Sequence, residues 1–286
     1  LESTSPVGTT KKIASLISQE SGISEDKLNF AYCPERVIPG NIFGELVKND
    51  RVVGGLTEYA SQHGKNLYKL FCQGDIMITE ARTAELVKLT ENSYRDVNIA
   101  FANELSIICD KLSINPREVI KIANKHPRVK ILNPGSGVGG HCIAVDPWFI
   151  AHSDPNNSEL IQTARKVNNH KSEWVFNKIK SSAYSFEKNN FFKPTIALMG
   201  ISYKPDVDDY RESSALKIAL KCKEAKLSTI VCDPYIKDIQ YLNIVDINAL
   251  SEKVDIYIFL VAHTLFRNLD LNGKKFIDFC GIKESY

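Results

Sequence analysis

The chain has 286 residues, 43% of them hydrophobic and 24% charged, and its 36 Lys and Arg against 34 Asp and Glu leave a formal net charge of +2. This is the composition of a globular protein with two domains or three small ones. Cations scattered along the chain exclude the basic stripe of a nucleic-acid binder. Apolar runs such as "IYIFLVA" (Ile256 to Ala262) fall far short of the roughly 20 residues of a membrane span, and no signal peptide is read.

In chain order, "STSPVGTT" supplies turn residues followed by Thr9 and Thr10 as N-caps for the apolar positions Ile13, Leu16 and Ile17. It reads as the end of a strand entering a helix, so the chain is expected to begin inside a domain. "LNFAYCPERVIPG" then gives a short strand and a Pro-bounded loop, and "RVVGG" gives another strand. These make the tail of an α/β unit, and no GxGxxG follows a strand here. From Thr83 to Leu112 the chain runs without Gly or Pro at helical spacing, which predicts a long core helix of an all-α middle domain. A second helix is predicted over Ser158 to Ser182, linking two domains, with Leu160, Ile161, Ala164, Val167, Trp174, Val175 and Ile179 on its apolar face. After the polar "EKNNFFKP", strands at "TIALMG", "STIVCD", "DIYIFLV" and "KFIDF" alternate with helices such as "SSALKIALKCKEA". A doubly wound α/β domain is predicted from Lys193 onward.

The stretch most suggestive of chemistry is "GSGVGGHCIAVDP", in which four glycines deliver Cys142. If the segment after them is helical, Cys142 and Asp146 lie at i and i+4 on one face, a nucleophile with an orienting carboxylate near a helix N-terminus. A small buried hydrophobe is the competing account of Cys142. Lys88, Asn92 and Arg95, at i, i+4 and i+7, could receive an oxyanion, or form a solvated helix face. Glu35, between Pro34 and Arg36 in a loop, is a general base or a surface carboxylate. Lys204 and Arg211 sit in the loop after the first strand of the last domain, at the end where such sheets bind ligands; solvated loop charges are the alternative. The seven cysteines, at 33, 72, 109, 142, 222, 232 and 280, form no CxxC pair. That suits a reducing cytoplasm and argues against a zinc site or any other bound metal.

"ESTSPVGTT", "AYCPERVIPGN", "AELVKLTENSYRDVNIAFANELS", "NPGSGVGGHCIAVDPWF" and "ISYKPDVDDYRESSA" together resemble the UDP-glucose/GDP-mannose dehydrogenase family, in order and over nearly the whole chain. The resemblance implies an α/β protein in three parts. These are the remnant of an N-terminal Rossmann domain that binds NAD (residues 1–78), an all-helical central domain through which two copies form a homodimer (79–182), and a C-terminal Rossmann-like domain that binds the UDP-sugar (193–286). The implied activity is oxidation of a sugar-nucleotide C6 alcohol to a carboxylate by two NAD in succession, for cell-surface polysaccharide precursors. Cys142 would form a thiohemiacetal and then a thioester. Lys88 would serve as acid/base or oxyanion partner with Asn92 as second donor, Asp146 and Thr4 would hold water and protons near C6, and Glu35 would activate the hydrolytic water.

For the sugar nucleotide the resemblance adds Arg36, Val37, Arg95, His126, Arg128, Gly139, Tyr203 and Lys204 to Lys88 and Asn92, with Arg128 reaching a neighbouring subunit. Thr4 and Arg211 would touch NAD. "CPERVIPG", "HPRV" and "GGHCIAVDPWFI" are most similar to the branch acting on UDP-N-acetyl-D-mannosamine. UDP-glucose, UDP-N-acetylglucosamine and GDP-mannose are the alternative substrates, and an inactive sugar-nucleotide-binding fragment is the alternative to an enzyme. Two departures stand out. Relatives acting on UDP-glucose carry a second glutamate four positions after Glu35, where this chain has Pro39, and Cys280 stands where relatives tend to have Lys or Arg. The phosphate-binding glycines are not in the chain, which is therefore expected to hold NAD poorly.

Overall fold

The computed structural model describes residues 1–37, 42–250, 254–271 and 273–283; Pro39 lies outside them. Along the chain the elements are α1 (Thr9–Ser21), β1 (Ala31–Tyr32), α2 (Ile42–Lys48), β2 (Arg51–Gly55), α3 (Glu58–Tyr68), β3 (Ile76–Glu80), α4 (Ala81–Leu112), α5 (Pro116–Ala123), α6 (Asp146–Ser153), α7 (Glu159–Asn190), β4 (Ile196–Met199), α8 (Ser214–Glu224), β5 (Thr229–Cys232), β6 (Ile256–Phe259) and β7 (Lys275–Asp278). They divide into two compact units, Leu1–Tyr94 with Asp146–Glu159, and Arg95–Val145 with Leu160–Tyr286.

In the first unit β2 lies between β1, antiparallel to it, and β3, parallel to it. All five β2 residues are buried, as expected of a central strand. Thr57 begins the β2 to β3 crossover by accepting the Ala60 N–H at the start of α3. Tyr32, Val52, Ala84 and Val87 form the small core against α4.

The second unit holds a four-stranded parallel sheet in the order β5-β4-β6-β7. Its two central strands, β4 and β6, read as continuous buried apolar runs because both faces are covered. Ile196 and Leu198 face Val175, Ile179 and Ala183 of α7 and Ile218 of α8. Ala197 and Met199 face the other way, onto Leu250, Tyr257, Phe259 and Phe266. From β4 the chain winds to β5 on one side and returns to β6 on the other, so the order reverses between β4 and β6.

The strand positions predicted for this sheet are all observed. Two helices are longer than their predicted spans: α4 starts at Ala81, and α7 continues to Asn190 because no Gly or Pro interrupts it before Pro194. Among the described residues only the first crossover of the sheet carries an α-helix; the later ones use short 3-10 turns at Ile247–Ala249 and Thr264–Phe266. The segment holding Cys142 is a turn closed by the Val145 N–H donating to the Cys142 carbonyl at 3.0 Å, and α6 begins only at Asp146. The helical i, i+4 relation between Cys142 and Asp146 is therefore not formed. The cause is the packing of the preceding glycines: Gly139 lies on the Glu212 carbonyl and Gly140, at φ +85°, on the Tyr203 ring, both more than sixty residues away.

Candidate active site

The first unit gathers Lys88, Asn92 and Asp146. Lys88 and Asn92 are one turn apart on α4 as their spacing predicts, and the Asn92 Nδ2 donates to Asp146 Oδ2 at 2.5 Å. Asn92 is 6% exposed and Asp146 3%, so at Asn92 the solvated-face account fails, whereas Arg95 is exposed and fits it. Asp146 opens α6, where the helix N-terminus favours a carboxylate.

Burial raises the Asp146 carboxyl above its ordinary value, and the Asn92 amide and the Lys88 ammonium pull it back. The net shift is upward, so between the unfolded and folded values the folded state holds the extra proton. This group's contribution is most favourable below the unfolded value, roughly 3.9, and falls as pH rises through that window. Asp146→Asn is therefore expected to raise the thermal midpoint at pH 7, with the gain vanishing near pH 3. A lower midpoint at pH 7 would mean that the Lys88 and Asn92 attractions outweigh burial.

Other predicted residues of this unit are engaged elsewhere. One Glu35 oxygen accepts the Arg36 and Val37 N–H groups at 2.6 and 2.9 Å, a local turn that holds the carboxylate against its own backbone. Arg36 pairs with Glu91 of α4 and donates to the Asp50 carbonyl. Thr4 is half-buried in the bend before α1. Glu85, which the sequence did not single out, is fully buried and accepts the Gly8 and Thr10 N–H groups at 2.5 and 2.7 Å and the Thr10 hydroxyl at 2.7 Å. Its carboxylate thus occupies the α1 N-terminus, which is not free to take a dinucleotide phosphate.

In the second unit, a crevice of about 270 Å³ opens at the carboxyl ends of β4, β6 and β7, lined by Gly139, Tyr203, Lys204, Ser213, Leu260 and Cys280 among others. Such a crevice, at the point where strand order reverses, is where doubly wound sheets hold nucleotides. The glycine loop forms one wall. A Cβ on Gly139 would stand 2.7 Å from the Glu212 carbonyl oxygen, and Gly140, at φ +85°, donates to that carbonyl at 3.3 Å and lies against the Tyr203 ring. Close backbone approach is thus what these two glycines provide. Two residues further on, Cys142 is exposed, which removes the account of it as a buried hydrophobe.

The loop carrying Tyr203 and Lys204 is pinned by a buried pair. His263, fully buried, accepts the Asp206 N–H at Nδ1 (3.0 Å) and directs Nε2 at Asp233 Oδ2 (3.1 Å). The same Asp233 oxygen accepts the N–H groups of Ile201 and Ser202 at 2.7 and 3.1 Å, which sets the loop carrying Tyr203 and Lys204. Burial raises the Asp233 carboxyl, but His263 and the backbone donors more than offset it. Arg211 is exposed and forks onto Asp209, holding that carboxyl down to about 2. Cys280 lines the crevice, and its thiol donates to Asp278 at 3.4 Å; burial first, then that carboxylate, push it well above the usual thiol range. It offers no positive charge where the resemblance places one. His126 and Arg128 lie on an exposed turn after α5 and do not line the crevice.

The fold and this crevice define a nucleotide-binding α/β protein. Residues 1–72, 82–170 and 197–282 match the NAD binding, central and UDP binding domains of the UDP-glucose/GDP-mannose dehydrogenase family. The chain is similar to the UDP-N-acetyl-D-mannosamine dehydrogenase of Campylobacter jejuni, 46% identical over an aligned length of 298 that takes in 98% of this chain and 71% of that one. It is also similar to the NDP-N-acetyl-D-galactosaminuronic acid dehydrogenase of Ralstonia solanacearum, 47% identical over 283 residues, 94% of this chain and 66% of that one. The solved structure of UDP-D-ManNAc dehydrogenase from Pyrococcus horikoshii superposes with a TM-score of 0.88 at 36% identity, covering 99% of this chain and 69% of that one. The chain belongs to the UDP-glucose/GDP-mannose dehydrogenase family, and it spans about two thirds of the length of these relatives.

Proposed function

We propose that the chain carries the substrate shell and the covalent catalytic thiol of an NAD-dependent enzyme that oxidises UDP-N-acetyl-D-mannosamine at C6 to the uronate. The observation that supports it most is the exposed Cys142 delivered by a glycine loop that is itself a wall of the switch-point crevice. NAD, when bound, supplies the two-electron acceptor for each oxidation, with Thr4 and Arg211 as its contacts in this chain. Tyr203, Lys204 and Gly139 hold the nucleotide; Arg36, Val37, Arg95, His126 and Arg128, which do not line this crevice, are its further contacts by family likeness, Arg128 reaching the site of a neighbouring subunit.

Lys88 and Asn92 steady the C6 oxygen as the alcohol loses a proton and a hydride. The Cys142 thiolate adds to the aldehyde carbon, forming a C–S bond and moving the carbonyl electron pair onto oxygen. Loss of a second hydride from this thiohemiacetal gives the thioester. Water then attacks the acyl carbon, with Glu35 or Asp146 taking its proton, and the C–S bond breaks to return the thiol. Two copies pair through α4, whose Phe101, Ile108 and Leu112 are exposed at i, i+7 and i+11; sedimentation of the chain as a monomer at micromolar concentration would remove that pairing. The seven scattered cysteines, with no CxxC pair, suit a reducing compartment, and the cytoplasm is the proposed location.

The test is the thermal midpoint of the chain with UDP-N-acetylmannosamine, UDP-N-acetylglucosamine, UDP-glucose and GDP-mannose in turn. A ligand of the folded state raises it by mass action, about 2.7 kcal/mol at a hundredfold excess over Kd. A rise selective for the N-acetylmannosamine compound is expected; an equal or larger rise with another sugar would reassign the substrate. Turnover with added NAD separates an enzyme from a binding fragment.

A further inference from the structure

A second cavity of the same unit, about 510 Å³, has no part in the proposed reaction; Lys171, Arg117, Trp174, Asn115 and Phe279 are among its lining residues. Its chemistry is unusual because Lys171 of α7 is 2% exposed yet, among the described residues, donates to one acceptor, the Ser106 hydroxyl at 2.7 Å, with its ammonium 4.1 Å from the Trp174 ring centre. An ammonium has three donors, so two remain for an occupant. Arg117 of α5 lies against the Gly281 backbone and forms no ion pair among the described residues.

Neither carboxylate on the cavity wall forms an ion pair with these cations among the described residues. Asp110 of α4 is paired with Lys178, and Asp278 of β7 accepts the N–H groups of Cys280, Gly281 and Lys283 at 2.9, 2.6 and 2.8 Å. What is left is a concave site whose lining combines two cations, Lys171 and Arg117, with Trp174, Ile277 and Phe279. We propose that this cavity is a second ligand site, separate from the switch-point crevice, which takes a phosphate monoester with an apolar or aromatic body: the phosphate on Lys171 and Arg117, the body on Trp174.

Burial lowers Lys171 to about 7; of the charged groups facing it, Asp110 opposes the shift and Arg117 adds to it, while Lys178 and Asp278 are each held by their own partners. A dianion beside Lys171 favours the charged amine, so binding at neutral pH takes up a proton.

The experiment is calorimetric titration of the full chain with phenyl phosphate, and with inorganic phosphate as the probe of the anion contacts alone. Phenyl phosphate is expected to bind more tightly than inorganic phosphate, and to be weakened at least about tenfold by Lys171→Met and by Arg117→Gln, with Lys204→Met, in the other crevice, leaving it unchanged. Titrations at about pH 7.5 in two buffers of different ionisation enthalpy are expected to reveal net proton uptake by the unaltered chain, a readout that survives if a variant fails to fold. No binding, loss in Lys204→Met instead of Lys171→Met, or binding without proton uptake would each overturn the proposal. None of these outcomes depends on which sugar nucleotide fills the first crevice.

Discussion

A Cys142→Ser variant is expected to bind the sugar nucleotide nearly as tightly as the unaltered protein while its rate of uronate formation falls on the order of 10³-fold or more. Binding survives because the change removes no crevice wall: Gly139, Tyr203 and Lys204 line the crevice and Cys142 lies beyond it in the turn. Turnover does not survive, because a hydroxyl is a far weaker acid than a thiol and supplies almost no anionic nucleophile near neutrality. The first oxidation needs no thiol, so the variant should still release about one reduced cofactor for each sugar consumed, in place of two. Uronate formed at the normal rate would dismiss the covalent route. A uniform loss of binding would instead assign Cys142 to the architecture of the glycine loop. In the unaltered chain the exposed thiol should also be alkylated by iodoacetamide and protected by the bound sugar nucleotide.

What the sequence made legible, and what it hid, divides by the range of the interaction responsible. The periodicity of α4 and α7 and the apolar runs of β4, β5 and β6 are local signals, and each element is found where its pattern lies, with the end of α7 shifted by eight residues and the other ends by fewer. The spacing of Lys88 and Asn92 carried over into structure for the same reason. Cys142 and Asp146 did not keep a helical relation, because the conformation there is set by glycines packed on Glu212 and Tyr203, more than sixty residues away in sequence. Glu85 reaches residues 75 and 77 positions earlier, and His263 meets Asp233 across 30. Nothing around "AHT" or "CDP" announces that pair. A buried histidine gives itself away only through the partner that satisfies it. Lys171 was equally hidden: one more lysine in a polar helical stretch, until the fold placed Trp174 and Ser106 around it.

Replacing Arg165 should produce the largest loss of stability. Arg165 is 3% exposed, donates from Nη1 to Asp96 at 2.5 Å and from Nη2 to Asn169 at 2.9 Å, and joins α7 to α4. Asn168 donates to the same Asp96 oxygen at 2.7 Å, and its carbonyl oxygen accepts from Asn103, which in turn accepts the Gly135 N–H at 3.0 Å. The helix pair and the start of the glycine loop are thus tied into one network. Burial pushes the Asp96 carboxyl up, and Arg165 and then Asn168 pull it back. Arg165→Leu removes the stronger of these attractions and leaves a fully buried carboxylate, a change that typically costs about 3–5 kcal/mol. With roughly 2–4 °C lost per kcal/mol in a protein of this size, the thermal midpoint should fall by about 10 °C. Asp96→Asn in the same background removes the orphaned charge and should restore much of that loss, so a double-mutant cycle should give a coupling well outside additivity. Additive losses would mean that Arg165 stabilises the helix pair by packing its stem and not by its charge. A midpoint unchanged by Arg165→Leu would mean that Asp96 takes up a proton at little cost, which raising the pH from 5 to 8 would expose as a growing deficit in the variant alone.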